Sequence, residues 1–226
     1  MATRTAIDRE LERLQNELLV LGIMVERALL ASVDALKELD LEAARKIIAA
    51  DKDLNAKRFA IETESLILIA THQPVAVDLR TIAAVLEIAG ELERIGDYAK
   101  GISTITLKLE KGPHIKPLID IPRMAGMACD MLTRALRAFT EKDLDQAKAI
   151  PMSDDEIDAL YDQIFRELMT YVIADPTTIE RVNYLIWVAH NLERSADRVV
   201  NICERIIFTI TGELREIEDA KGKRGE

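Results

Sequence analysis

The amino-acid sequence predicts an all-α protein built from two tandem, pseudo-repeated three-helix bundles, six helices in total. Apolar residues recur every three or four positions along almost the whole chain, which places them on one face of a helix. The second half of the chain also repeats the first, since Glu-Leu-Glu-Arg-Ile-Gly-Asp at 91–97 returns as Asn-Leu-Glu-Arg-Ser-Ala-Asp at 191–197. An internal repeat has to be recognised before a fold is assigned, because it shows which segments adopt the same structure. We expect one bundle over residues 1–111 and the second over 112–226.

The repeat extends well beyond this motif. Earlier in each copy the offset is 103 residues, so that Asp40 corresponds to Asp143 and Asp51 to Asp154. The offset falls to 100 at the Glu-x-x-x-Asp motifs, because the second copy has lost three residues between positions 157 and 191. A duplicated unit of roughly a hundred residues is therefore expected.

The composition suits long amphipathic helices and limits the classes of partner. Of the 226 residues, 49% are hydrophobic and 31% charged, with only 9 Gly and 6 Pro. A formal net charge of −10 argues against nucleic acid and anionic lipid as partners, and it favours cations or basic protein surfaces. No apolar run approaches the length of about 18 residues that spans a bilayer. Cys129 and Cys203 show no metal-type or redox-type spacing and are expected to be small buried side chains.

The first copy divides into three helices. Apolar residues at helical spacing define the first over 11–36, and Asp40 is the predicted N-cap of a second helix over about 41–70. Pro74 ends this helix because proline cannot continue the hydrogen-bond ladder. The third helix follows over about 75–110.

The second copy repeats this plan after a linker over 112–122 that is rich in proline. Pro151 is expected to interrupt its middle helix, with Ser153 as the N-cap that restarts it. Asp175-Pro176 forms the last turn. The predicted helices span about 124–140, 144–172 and 177–214.

The hairpin of the second and third helices predicts which residues lie beside the first motif. In an antiparallel hairpin, residues equidistant from the turn lie side by side. About Pro74, Asn55 mirrors Glu93 and Asp51 mirrors Asp97. Each of these four residues is therefore expected to face, across the hairpin, the residue that it mirrors.

The same relation holds in the second copy, in spite of the three-residue deletion. About the Asp175-Pro176 turn, Asp158 mirrors Glu193 and Asp154 mirrors Asp197. The deletion moved the turn and left the mirrored pairs intact. Both copies are therefore expected to gather four oxygen-bearing side chains.

Clusters of this kind predict metal binding, because neighbouring carboxylates repel one another unless a cation neutralises them. Oxygen donors suit divalent or trivalent ions, among them Mg²⁺, Mn²⁺, Ca²⁺, iron and, less typically, Zn²⁺. An alternative interpretation is a solvated helix face on which Arg94, Arg194 and Arg198 pair with the acids. The predicted metal ligands are Asp51, Asn55, Glu93 and Asp97 in the first copy, and Asp154, Asp158, Glu193 and Asp197 in the second.

Two segments of the first copy resemble the signature of the PhoU family, bacterial regulators of phosphate uptake and phosphate-starvation signalling. They are Gln-Pro-Val-Ala-Val-Asp-Leu-Arg at 73–80 and Leu-Glu-Arg-Ile-Gly-Asp at 92–97. The resemblance covers both copies, although the second has Ser195-Ala196 in place of Ile-Gly. It also offers only Glu180 and Arg181 as loose equivalents of Asp78 and Arg80.

The resemblance implies two three-helix bundles that bind metal ions or multinuclear clusters through (Glu/Asp)-x-x-x-Asp motifs. It further implies a cytoplasmic, often dimeric protein that is not an enzyme. The implied partners are the ATPase subunit of the phosphate ABC transporter and the phosphate-sensing histidine kinase, so that any contact with the membrane is made through them. When phosphate is plentiful, such a protein helps to hold the starvation response off.

Two other functions compete with this one. A carboxylate-bridged metal oxidase or hydrolase would also use carboxylates borne on a helical bundle, but the Glu-x-x-His pairs of di-iron bundles are absent from the sequence. A purely structural helical module would carry the acids as surface groups. Metal content and binding to the transporter ATPase separate the three.

Overall fold

The computed structural model describes the backbone of residues 2–110, 112–214 and 217, and their side chains from Ile7 onward. Over these residues the chain is all-α and contains no strand, as predicted. None of the described helices is long and apolar enough to cross a membrane. The α-helices are α1 (Ala2–Glu38), α2 (Leu41–His72), α3 (Val77–Lys108), α4 (Asp120–Glu141), α5 (Leu144–Ala149), α6 (Asp154–Ala174) and α7 (Ile179–Thr211), with 3-10 helices at Ile150–Ser153 and Pro176–Thr178.

The counterpart of α2 in the second copy is broken, which turns six predicted helices into seven segments. Helix α5, the 3-10 turn that contains Pro151, and α6 follow one another where the first copy has α2 alone. The predicted interruption at Pro151 is confirmed. Ser153 occupies the predicted N-cap position of α6, but its side chain makes no capping hydrogen bond. Its backbone is already helical, and the N–H of Asp154 is bonded to the carbonyl oxygen of Pro151 instead. The three-helix plan of each copy is thus retained.

Helix α4 begins earlier than the sequence predicted. It starts at Asp120, so Pro122 lies in its first turn instead of in the linker. Proline is tolerated there because backbone N–H groups of the first helical turn have no partner within the helix. The linker is therefore shorter than expected.

The turn after the first helix of each copy has the same geometry, which shows the duplication in the backbone. Leu39 and Lys142 adopt left-handed conformations, with φ of 53° and 55°. The next residues, Asp40 and Asp143, each donate their backbone N–H to the carbonyl oxygen five residues earlier, at 2.9 Å in both turns. Both aspartates then cap the following helix through a side-chain oxygen. The predicted N-cap at Asp40 is confirmed.

The core is continuous between the two copies. Helix α3 packs on α1 and α2 and also on α7, which in turn packs on α4 and α6, while α1 packs on α4. The fully buried side chains are mainly Leu, Ile, Val, Ala and Met, as the scarcity of aromatic residues required. The predicted domain boundaries at 1, 111 and 226 lie outside the described residues.

The long helices α3 and α7 run antiparallel and exchange equivalent contacts at their ends. Near the start of α3, Arg80 donates from Nε to the carbonyl oxygen of Thr209, near the end of α7, at 3.4 Å. Near the start of α7, Arg181 donates from Nη2 to the carbonyl oxygens of Gly112 and Pro113 at 2.6 and 2.7 Å, just beyond the end of α3. Positive charge is favourable near helix C-termini, where carbonyl groups lack partners. Arg181 is therefore a functional equivalent of Arg80.

Further polar contacts join the middles of these two helices. Glu91 accepts a hydrogen bond from Asn201 at 3.1 Å and lies 3.4 Å from Nη1 of Arg198. The guanidinium of Arg194 lies 5.5 Å from the centre of the Tyr98 ring, a cation–π contact. We call this packing of α3 on α7 the seam. It joins the two copies directly through the helices that carry the repeated motif.

Both cysteines are buried thiols, as expected. Cys129 and Cys203 are 4% and 0% exposed and form no disulfide. Burial raises the pKa of each thiol to about 12, so both remain protonated at neutral pH. They are packing residues.

The left-handed turn at Lys142 generates a first prediction. This residue is exposed, and a left-handed conformation disfavours any residue with a Cβ. Lys142→Gly should therefore raise the free energy of unfolding by about 0.5–1 kcal/mol. Urea denaturation measures it. Leu39→Gly is the matched control, in which lost packing against the core offsets the same gain; a loss of stability in Lys142→Gly would contradict the shared turn geometry.

Candidate functional site

The first carboxylate cluster lies on the α2–α3 hairpin, with Asp51 and Asn55 on α2 and Glu93 and Asp97 on α3. Lys100 joins the two helices. Its Nζ donates to Oδ2 of Asp51 at 2.7 Å and lies 3.9 Å from Oδ1 of Asp97. Asp51 therefore faces Asp97 across the hairpin, as the mirror relation predicted.

Asp51 is the most deeply buried acid of this cluster, with 8% of its surface exposed. The oxygen that accepts the hydrogen bond from Lys100 also accepts one from Nδ2 of Asn55, at 3.3 Å. Asn55 thus acts here as a donor to Asp51. The two predicted metal ligands on α2 are therefore hydrogen-bonded to each other.

Burial and the neighbouring acids both act on the carboxyl group of Glu93. Burial raises the pKa of its carboxyl group above the ordinary value, and the nearby charges of Asp97 and Asp51 raise it further. Arg58 and Arg94 act in the opposite direction. The ionised form of Glu93 is therefore disfavoured in the folded protein.

Lys100 was missed by the sequence interpretation. Its signal is its position three residues after Asp97, on the same face of α3, where a cation interacts favourably with the acid. The hydrogen bond to Asp51 is the main cause that raises the pKa of the ammonium group above its ordinary value. The first cluster therefore contains a positive charge of its own.

The second cluster lies on the α6–α7 hairpin, with Asp154 and Asp158 on α6 and Glu193 and Asp197 on α7. Asp154 is only 7% exposed. One carboxylate oxygen each of Asp154, Asp158 and Glu193 is buried from solvent. These carboxylate oxygens are therefore buried, whereas acids on a solvated helix face would be exposed to water.

Two further side chains border the second cluster. Nδ1 of His190 lies 3.2 Å from Oε2 of Glu193. Tyr161 lies beside His190, with ring centres 6.1 Å apart, and burial followed by the charge of Glu193 raises the pKa of its phenol. The imidazole and the phenol thus lie at the contact between α6 and α7, next to the acids.

The two clusters differ in charge at equivalent positions. In the first, three carboxylates and the Lys100 ammonium give a formal charge of −3 + 1 = −2, whereas four carboxylates in the second give −4. Val200 stands where the first copy has Lys100. The other equivalent pairs are Asn55 with Asp158, Arg58 with Tyr161, and Gly90 with His190.

The three arginines of the alternative interpretation have partners at the seam. Arg94 donates to Oε1 of Glu91 at 3.1 Å, and Arg198 approaches the other oxygen of the same carboxylate. Arg194 lies over Tyr98. In the first copy, the cation that bonds to a cluster acid is thus a lysine, which that interpretation did not name.

The donor sets differ in how well they fit a metal ion. Within the part of the chain that the structure describes, no three or more His, Cys, Asp or Glu side chains are arranged to hold a metal. In the first cluster, the Lys100 ammonium lies where a cation bound to Asp51 would lie. In the second, the donor chemistry fits a hard or borderline cation, because four carboxylates and an imidazole are present and several of the oxygens are buried.

Comparison with known proteins assigns the chain to a family. The PhoU domain model matches it twice, over residues 18–106 and 121–206, so each match contains one carboxylate cluster. The first match includes Lys100 and the second includes Val200. The chain belongs to the PhoU family.

Relatives and solved structures agree with this assignment. The phosphate-specific transport system accessory protein PhoU of Escherichia coli K12 is 34% identical over 204 residues, which are 90% of this chain and 85% of that protein. The PhoU homolog of that name in Clostridium acetobutylicum is 34% identical over 218 residues, 96% of this chain and 100% of the relative. The crystal structure of the phosphate transport system regulatory protein PhoU from Streptococcus pneumoniae superposes with a TM-score of 0.86 at 30% identity, covering 93% of this chain and 100% of that one. That of PhoU from Pseudomonas aeruginosa gives 0.86 at 32% identity, covering 91% and 99%.

The raised pKa of Glu93 predicts a pH dependence of stability. Because the folded state holds this proton more tightly than the unfolded state, ionised Glu93 lowers stability as pH rises through that pKa, and the cost is absent at more acidic pH. In protein kept metal-free with a chelator, Glu93→Gln should therefore raise the melting temperature at pH 7. The gain should shrink as pH falls towards about 4, where the parent residue is itself protonated.

Thermal melts over this pH range test the prediction. Glu12→Gln, the same change at an exposed position on α1, is the matched control and should show no such trend. A lower melting temperature for Glu93→Gln at pH 7 would mean that attraction to Arg58 and Arg94 outweighs burial and repulsion.

Proposed function

We propose that the protein is a non-enzymatic regulator of phosphate uptake and of phosphate-starvation signalling. In this role it is an adaptor between the ATPase subunit of the phosphate ABC transporter and the phosphate-sensing histidine kinase. It acts in the cytoplasm as a homodimer and reaches the membrane only through these partners. The observation that carries the proposal is the double match to the PhoU domain over most of the chain.

The names of the relatives support this role. Proteins similar along nearly their whole length are called accessory proteins of the phosphate-specific transport system, and a structural neighbour is called a regulatory protein of phosphate transport. These names describe an accessory or regulatory role in phosphate transport and mention no chemical reaction. The acidic net charge of −10 suits basic surfaces on partner proteins.

Metal binding is the second part of the proposal, and the second cluster is its main site. Asp154, Asp158, Glu193 and Asp197 would hold a divalent or trivalent cation or a small cluster, with His190 beside Glu193. A bound cation would neutralise four carboxylates that lie on two helices. The burial of oxygens from three of these acids supports this assignment, because it gathers carboxylate donors of the kind that such cations prefer at one place between α6 and α7.

If this cluster binds metal, a chelator should lower the melting temperature of metal-loaded protein, since a ligand bound only to the folded state stabilises it. The double variant Glu193→Gln, Asp197→Asn should lose most of this chelator response, because it keeps the shape of the donors and removes their charge. Thermal melts with and without chelator, together with elemental analysis, provide the measurement.

The matched control is Asp155→Asn, Glu156→Gln, which removes two exposed acids at the start of α6 and should keep the response. A melting temperature indifferent to chelator, in protein verified to be loaded, would contradict metal binding. That outcome would leave the adaptor role untouched, because a separate binding experiment tests it.

The adaptor role is tested by binding to the transporter ATPase. The immobilised protein should bind the purified ATPase subunit of the phosphate transporter from its own organism more tightly than the ATPase subunit of an unrelated ABC transporter. Interferometry measures both affinities. Equal or undetectable binding to the two subunits would contradict the adaptor role.

A further inference from the structure

Large apolar side chains lie exposed on the outer face of the α6–α7 hairpin. Phe165 and Met169 occupy successive turns of α6 and are 41% and 36% exposed. Trp187 on α7 is the only tryptophan in the sequence and is 54% exposed. Burying such side chains is favourable, so this surface gains free energy from a partner that covers it.

These side chains form one surface with two neighbours that connect the helices. The ring centre of His190 is 6.1 Å from that of Tyr161 on α6 and 6.2 Å from that of Trp187 on α7. Across the hairpin, Phe165 mirrors position 186, directly before Trp187. We call Tyr161, Phe165, Met169 and Trp187 the apolar patch. Contiguous exposed apolar side chains, unlike scattered ones, indicate an interaction site.

The first copy shows that the fold does not require this patch. Glu62 stands where the second copy has Phe165, and its carboxylate lies 2.8 Å from a guanidinium nitrogen. Glu87 stands in the place of Trp187, and its carboxylate lies 2.7 Å from another guanidinium. Exposed ion pairs suit a surface that meets only water. The second copy therefore carries an apolar surface where the first carries a solvated one.

The charge beside the patch indicates which kind of partner fits it. Over residues 154–166, α6 carries five acids and one base. Asp155 and Asp162 are exposed, and together with Met169 they recur every seven residues, which is about two helical turns. One line along α6 is thus acidic towards the start of the helix and apolar towards its end. A complementary partner presents an apolar stripe followed by basic residues.

We propose that the apolar patch binds an amphipathic helix of a partner protein, with its apolar stripe on the patch and its basic residues beside the exposed acids of α6. The patch follows the groove between two helices, into which a third helix packs. Aromatic side chains and Met are enriched at protein contacts, and Trp carries much of the binding energy there. Lys and Arg are also attracted by the faces of Trp and Tyr rings. The inference rests on the adaptor role in the proposed function, for which it supplies a contact surface.

Three synthetic peptides of equal length probe this surface by fluorescence anisotropy with the full chain. The first is an amphipathic helix of Leu and Lys, with Leu at helical spacing along one face. The second has the same composition in scrambled order, so it keeps the charge and loses the apolar stripe. The third has Glu in place of each Lys. The first should bind at least about tenfold more tightly than either of the others, because only it offers both features.

Substitutions at the patch locate the binding. Phe165→Glu, Trp187→Glu gives the patch the residues of the first copy and should weaken binding of the first peptide by about tenfold or more. Phe59→Glu, Leu66→Glu is the matched control. It removes two apolar side chains of α2 that are at least as exposed, and it should leave the affinity unchanged. Circular dichroism verifies the folding of each variant.

Two further readouts are independent of that double variant. The fluorescence emission of Trp187 in the parent chain should shift to shorter wavelength when the first peptide binds, because the indole leaves water. Asp155→Asn, Asp162→Asn should weaken binding of the same peptide and reduce its dependence on salt. If Phe165→Glu, Trp187→Glu fails to fold, Trp187→Gln removes the largest apolar side chain of the patch without adding charge.

The outcomes distinguish this inference from the proposed function. No binding of the first peptide, equal binding of the scrambled one, or binding indifferent to the patch variant would overturn the inference and leave the adaptor role untouched. A shift of Trp187 emission on vesicles of phosphatidylcholine and phosphatidylglycerol would assign the patch to lipid and overturn it. Dissociation of a homodimer by the patch variant would do so too, because the occupant would be a second copy of the chain. If the first peptide binds at the patch while the parent shows no preference for the phosphate transporter ATPase, the adaptor role is wrong and the binding surface stands.

Discussion

The antiparallel packing of α3 on α7 is the constraint on which the rest of the structure depends. These helices are the last of each copy, they carry both Glu-x-x-x-Asp motifs, and each also packs on the shorter helices of its own bundle. At the seam, Glu91 bonds to Asn201, while Arg80 and Arg181 bind carbonyl groups at the far end of the opposite helix. The helix that carries each motif is therefore packed both on the helices of its own bundle and on the last helix of the other copy. This packing holds the helix, and with it the carboxylates, in place.

Duplication explains why the two clusters are equivalent in position, and divergence explains why they differ in charge. The matching turns at Leu39 and Lys142 show that the backbone plan has been kept. The side chains around the acids have changed, with Val200 in place of Lys100 and His190 in place of Gly90. Because neighbouring carboxylates repel one another, these substitutions change the electrostatic surroundings of each set of acids.

Helical periodicity and the repeat were sufficient to predict the fold class, the hairpins and the facing of Asp51 and Asp97. Helix ends were less predictable, because Pro122 can occupy a first turn and Ser153 adopts a helical backbone that needs no side-chain cap. The long-range contacts of Arg181 and Glu91 were not predicted, since their partners lie outside their own helices. Lys100 was missed although its spacing from Asp97 within α3 was a signal. Contacts across the seam depend on how the two copies dock, which one sequence does not specify.

Metal binding by the second cluster is the central claim, and anomalous diffraction from crystals grown with Mn²⁺ tests it most directly. The account predicts an anomalous peak beside Glu193 and Asp197. Crystals grown at saturating Mn²⁺ that show no peak beside these acids would contradict it.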